Sequence, residues 1–222
     1  MSPRPCVLLL GPPCAGKTTL TGSILDKHGL THFAVRLFFA HQIDLNTKIG
    51  KAAEPFVRAH AWIPDDVVVQ GLDDYLSRQD IDGSAGVLLE GLPGNRRQTE
   101  LLSHVLTTHD LTLYSILYVD VSDDIARERA SKRFVCGCDG GVRPVINSIV
   151  CPRCGKPVIR RNDDSELLFK KRLALHRDLI CRLKEVYPSS LWKMLDGSLS
   201  PHLIAASVER SLKGMDRRGK SP

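Results

Sequence analysis

Apolar residues dominate short runs at positions 6–10 (CVLLL), 86–89 (GVLL), 116–121 (ILYVDV) and 191–195 (LWKML), the last two each carrying one charge, Asp120 and Lys193. A run without polar alternation suits a strand covered on both faces, so each reads as a buried strand of a parallel sheet. Helical spacing lies between them: Leu20 and Ile24 after the first run, Leu101, Val105 and Leu106 after Gln98, and Leu168, Leu175, Leu179 and Leu183 before the last. Strands alternating with helices imply a doubly wound α/β arrangement. Two stretches interrupt the pattern. Residues 31–75 read as mostly helical with weak strand character, and residues 134–160, rich in Cys, Gly and Pro, read as an insertion.

At 222 residues and 42% apolar content, the chain can bury one substantial core with a small insertion. No run approaches the length of a membrane span, and the N-terminal segment shows no cleavage pattern, so a cytoplasmic monomer without membrane contact is expected. The net charge is +6, but residues 213–222 carry Lys213, Arg217, Arg218 and Lys220 against Asp216. Half of the excess is thus a basic tail, which reads as a solvated, flexible end and not as a nucleic-acid surface.

The first strand leads into Gly11-Pro12-Pro13-Cys14-Ala15-Gly16-Lys17-Thr18, followed by Thr19, which fits G-x-x-x-x-G-K-[ST] between a strand and a helix. Backbone N–H groups of such a loop and the helix N-terminus favour phosphate. Lys17 would reach the β- and γ-phosphates of ATP, with the Thr18 hydroxyl on Mg²⁺. Cys14 is read as an inert small residue whose place at a helix N-terminus could lower its pKa. Arg172 shares helical spacing with Leu168, Leu175 and Leu179, an expensive place for a charge unless it serves a site or snorkels from the margin. Arg129 and Arg133 stand four apart after Asp123 and Asp124, where a solvated helix face is the simpler reading.

The segment Gly86-Val-Leu-Leu-Glu90-Gly91-Leu-Pro93 with Gln98, taken with the phosphate loop, resembles adenylate kinases and related nucleoside monophosphate kinases over nearly the whole chain. That resemblance implies a P-loop NTPase fold of three α/β/α layers with a five-stranded parallel sheet. The core would be residues 1–133 and 163–212, with an acceptor-binding segment at 31–75 and a lid at 134–162. Glu90 would hold a water on Mg²⁺, although it could be only a capping carboxylate, and Asp120 competes for that role. Arg129 would lie against adenine and Arg133 on the phosphates. Arg161-Asn-Asp163-Asp164 with Arg172 resembles the family's R-x-D-D and following arginine. In the family these arginines meet the acceptor and transferred phosphates, while the two aspartates order the closed lid.

Within the insertion, Cys151-Pro-Arg-Cys154 has knuckle spacing, and Cys136-Gly-Cys138 is the partner pair, one residue shorter than the C-x-x-C of metal-bearing family lids. Four thiols so close favour a structural Zn²⁺, with reduced free thiols as the other reading. The acceptor side departs from the family. Val35, Ala40 and Gly94 stand where it carries a threonine and two arginines, and Trp62 brings bulk near the base pocket. The acceptor-site residues expected are Arg36, Ile63, Gly91, Gly94, Arg97 and Gln98 together with Arg161 and Arg172. Three outcomes stay open: Arg36, Arg96 or Arg97 restores an anion site for a nucleoside monophosphate; the acceptor is another phosphate or phosphonate; or the chain is an ATP-binding switch or zinc-ribbon nucleic-acid module.

Overall fold

Residues 6–9 are fully buried, and because successive strand side chains point to opposite faces, both faces of this strand must be covered. Cys6, Leu8 and Leu10 join one apolar cluster with Phe33, Leu72, Leu89, Leu102 and Ile116, while Val7 and Leu9 join a second with Leu20, Ile24, Leu117, Ile204 and Val208. The computed structural model describes residues 3–59, 61–78, 84–139, 144–146, 148–160 and 164–215.

In chain order the elements are β1 (Arg4–Leu10), α1 (Lys17–His28), β2 (Leu30–Ala34), α2 (Val35–Asp44), α3 (Lys48–Arg58), α4 (Asp65–Arg78), β3 (Gly86–Glu90), α5 (Arg96–Thr108), β4 (Leu111–Asp120), α6 (Asp123–Ser131), β5 (Arg133–Val135), β6 (Pro144–Ile146), β7 (Ile159–Arg160), α7 (Glu166–Val186), β8 (Trp192–Asp196) and α8 (Pro201–Leu212). The main sheet has five parallel strands in the order β2-β3-β1-β4-β8. Leu8 stands between Leu89 and Ile116 across the register. Strand order reverses around β1, so the crevice at the carboxyl ends of β1 and β3 is where a ligand fits such a sheet. The phosphate loop leaves β1 at that end and Glu90 closes β3 beside it.

Two local readings change. The start of the 31–75 stretch is a true edge strand, β2, whose Phe33 and Ala34 are buried, before helices α2, α3 and α4 follow. Its weak alternation hid it, because an edge strand needs only part of its surface covered. On α7 the buried residues are Phe169, Leu173, Ile180 and Leu183, whereas Leu168 and Leu175 are 43% and 58% exposed. The true stripe has the same period one residue out of phase, so Arg172 borders it and does not lie within it; its guanidinium sits 5.9 Å from the Phe169 ring centre. Arg129 and Arg133 also part company, the first in the last turn of α6 and the second opening β5.

A second, antiparallel sheet, β6-β5-β7, carries the cysteines. Among the described residues its buried cluster is Cys136, Val145 and Cys151, with Phe134 and Val158 packed against them and Val135 buried in β5. Among the described residues, no helix is long and apolar enough to cross a membrane. The end of the basic tail, from residue 216, lies outside the described residues.

Helices α2 and α3 meet through Gly50, where an added Cβ would come within 2.1 Å of the Gln42 carbonyl oxygen. Gly50→Ala should therefore force the pair apart and cost about 1–3 kcal/mol in urea denaturation.

Candidate active site

The loop between β1 and α1 turns through two left-handed residues, Cys14 (φ 63) and Gly16 (φ 98), and hands over to a helix with no acidic residue in its first turn. Successive N–H groups in such turns make a concavity for anions, and the unopposed helix dipole adds to it. Thr18 and Thr19 are exposed on that first turn. Lys17 folds back so that its Nζ donates to the carbonyls of Gly11 at 2.8 Å and Pro12 at 3.0 Å. Burial pushes its pKa down to about 8, against the pull of Glu90. Burial likewise raises the Cys14 thiol, so the lowering expected from the helix N-terminus does not occur: desolvation outweighs the nearby cations.

Glu90 Oε2 accepts from the Thr21 hydroxyl at 3.2 Å and lies 3.4 Å from His32 Nε2. Burial alone would raise this carboxyl, but His32, Lys17 and Thr21 together hold it below the usual carboxylate range. It is thus an anion held next to the cradle. Asp120, the competing candidate, is committed elsewhere: Arg177 Nη1 donates to its Oδ1 at 2.7 Å, while Arg177 Nη2 reaches the Val121 carbonyl and Asp123.

Arg133 and Arg172 converge on one carboxylate. Arg133 Nε donates to Asp164 Oδ2 at 2.8 Å, its Nη2 reaches Oδ1, and Arg172 Nη1 reaches Oδ1 at 3.2 Å. The Asp164 side chain is 3% exposed. Arg129 grips backbone, donating to the Gly197 carbonyl at 2.8 Å and approaching the carbonyls of Cys14 and Ala15. Arg161 and Asp163 lie outside the described residues.

At the start of α5, Gln98 is buried between Asp65 and Gly94: its Nε2 donates to Asp65 Oδ1 at 2.8 Å and its Oε1 accepts from the Gly94 N–H at 2.6 Å. Asn95, which caps α5, also donates to Asp65. Ile63 packs on the core, and Gly91 takes φ 85 facing Val35. Arg36 and Arg97 are exposed in the first turns of α2 and α5, while Arg96 pairs with Glu100 along its own helix at 3.4 Å.

The four clustered thiols lie within 4.8 Å of one another, with Cys136 to Cys154 at 3.5 Å and Cys138 to Cys151 at 3.7 Å. An ion bound tetrahedrally by four thiolates holds its sulfurs about 3.8 Å apart, so this donor set fits Zn²⁺ despite the shortened Cys136-Cys138 spacing.

The family model for adenylate kinase matches residues 9–191. The chain belongs to the adenylate kinase family. It is similar to the adenylate kinases of Alkaliphilus oremlandii, 29% identical over 93% of this chain and 97% of the relative, and of Clostridium perfringens strain SM101, 30% identical over 95% and 99%. A third relative, the adenylate kinase of Clostridium botulinum strain Alaska E43, is 31% identical over 86% of this chain and 91% of its own. Membership of the adenylate kinase family supports a nucleotide phosphotransferase. Two partners of the expected site residues escaped the sequence reading. His32 has no local signal, since its partner Glu90 is far along the chain; Asp65 could have been suspected from its place beside Pro64 at a helix start.

Asp164→Asn should leave two guanidinium groups facing each other in a largely buried site and lower stability by about 3 kcal/mol, part of which Arg133→Gln in the same chain restores, read by urea denaturation. Metal analysis of the purified protein should find one zinc per chain, and a strong chelator should lower Tm. Cys154→Ser should lower it without chelator.

Proposed function

We propose that the chain transfers the γ-phosphoryl group of Mg·ATP to a nucleoside monophosphate. What carries this reading is the arrangement of cations: Lys17, at the start of α1, rests its Nζ on the Gly11 and Pro12 carbonyls of the turn suited to phosphate, and Arg133 and Arg172, from β5 and α7, meet on the Asp164 carboxylate. A transferring phosphoryl group spreads charge over its oxygens, so positioned cations are most of what catalysis requires.

On this reading Lys17 leaves the loop carbonyls for the β- and γ-phosphates. Residues 11–19 hold the triphosphate, Arg129 borders the adenine, and Glu90 with Thr18 would hold the Mg²⁺, which neutralises phosphate charge when bound. Arg133 and Arg172 exchange Asp164 for phosphate oxygens, and Arg161 joins them. Asp163 and Asp164 then order the segment 134–162 as a lid whose closure keeps water from competing as acceptor. A structural Zn²⁺ on Cys136, Cys138, Cys151 and Cys154 would stiffen that lid and leave no open position for chemistry. The acceptor would lie among Arg36, Ile63, Gly91, Gly94, Arg97 and Gln98.

A second reading has a specific observation behind it: the uncharged Val35, Ala40 and Gly94 suit a phosphate or phosphonate of lower charge. A switch or nucleic-acid module has no need for guanidinium groups arranged around the loop.

ADP release from Mg·ATP, measured over nucleoside monophosphates and small phosphorylated or phosphonate compounds, should show turnover with a nucleoside monophosphate. Activity only with a non-nucleotide selects the second reading, and silence with every compound removes the enzyme assignment. Arg133→Ala, Arg161→Ala and Arg172→Ala should each lower turnover about a thousandfold while the protein stays folded by circular dichroism.

A further inference from the structure

Trp62 lies just before α4, 60% exposed, with the six-membered edge of its indole against Gly94. A Cβ built on Gly94 would stand 2.4 Å from Trp62 Cζ2, 2.8 Å from Cη2 and 3.0 Å from Gln98 Oε1. Carbon atoms do not approach so closely, so the indole in this position and a side chain at residue 94 exclude each other. The same two segments are bonded together a few ångströms away. Asp65 Oδ1 accepts from Gln98 Nε2 at 2.8 Å and Asn95 Nδ2 at 2.7 Å. An ionised carboxylate can only accept, so the Gln98 amide is fixed with its nitrogen toward Asp65 and its oxygen toward the Gly94 N–H.

An exposed tryptophan on a hydrogen-bonded support is an unusual use of surface. Its ring is held by one edge while most of its area stays open to solvent, beside the loop that leaves the end of β3. A planar heteroaromatic ring is the ligand such a surface suits, because stacking on an aromatic side chain is worth on the order of tenfold to a hundredfold in affinity whichever base is stacked.

We propose that Trp62 is the specificity-determining platform of the acceptor site, and that the acceptor is a base-bearing monophosphate gripped there by its ring and not by a cation at position 94. This rests on the phosphotransferase reading of the same site. Gly94 is then the residue that makes room for the indole. Phosphate recognition falls to the groups around the loop, so the bare nucleoside retains most of the acceptor's affinity for the open site.

The chain has two tryptophans, so Trp192→Phe leaves Trp62 as sole reporter. In that background, titration with the four nucleosides, their 5′-monophosphates and ribose 5-phosphate reads binding without catalysis. At least one nucleoside should quench Trp62 with a Kd within about threefold of its monophosphate, and ribose 5-phosphate should neither quench nor compete. Competition by ribose 5-phosphate as strong as by the nucleoside, or no quenching by any base-bearing compound, overturns the proposal. In steady-state assays Trp62→Ala should raise the acceptor KM about tenfold to a hundredfold with the KM for ATP unchanged, and Trp62→Phe should restore most of it. An unchanged acceptor KM in Trp62→Ala overturns the platform while leaving phosphotransfer intact; quenching by nucleosides without turnover of any acceptor does the reverse. Gly94→Arg alone should weaken quenching and Trp62→Leu with Gly94→Arg should recover acceptor KM. Wild-type KM in Gly94→Arg alone also overturns it.

Discussion

Like charges do not gather without something to hold them, and the site is organised around that constraint. Lys17, Arg133 and Arg172 are each balanced by an oxygen supplied by the fold. Lys17 rests on the Gly11 and Pro12 carbonyls, and Arg133 and Arg172 share Asp164. The fold thus keeps a set of cations together by pairing each with an oxygen, so the cost of assembling positive charge is met during folding.

The scaffold that permits this is the doubly covered sheet. Because β1 is buried on both faces by side chains alternating between two clusters, its carboxyl end is held in place and fixes where the loop that leaves it begins. Glu90 reaches the cradle because β3 pairs beside β1. Its own partner, His32, comes from the edge strand β2, so three neighbouring strands set one carboxylate against one lysine.

Away from the sheet, packing gives way to other means of support. The small antiparallel sheet buries too few residues to stiffen itself, and its four thiols stand at spacings a tetrahedral ion would hold. Between α4 and α5 the support is polar. Asp65 ties α4 to the start of α5 through Asn95 and Gln98, and the indole of Trp62 closes over Gly94. A side chain at position 94 would meet that indole where it now lies.

What the sequence by itself determined is what is local. The buried strands β1, β3 and β4 announce themselves as largely apolar runs, whereas the run at 191–195, read the same way, is the half-exposed edge strand β8, which has a neighbour on one side only. The phosphate loop shows as glycines and a lysine at fixed spacing and the cysteine cluster as two short pairs, because each depends on residues a few positions apart. The edge strand β2 and the phase of α7 were not legible: partial burial weakens alternation, and leucines on an exposed face share the period of the buried one. The partners of the functional charges were decided only by the tertiary structure. His32 beside Glu90, Arg177 on Asp120, Asp164 between two arginines and Trp62 over Gly94 are contacts between segments that only the folded sheet and its helices bring within a few ångströms, and no spacing along the chain encodes them.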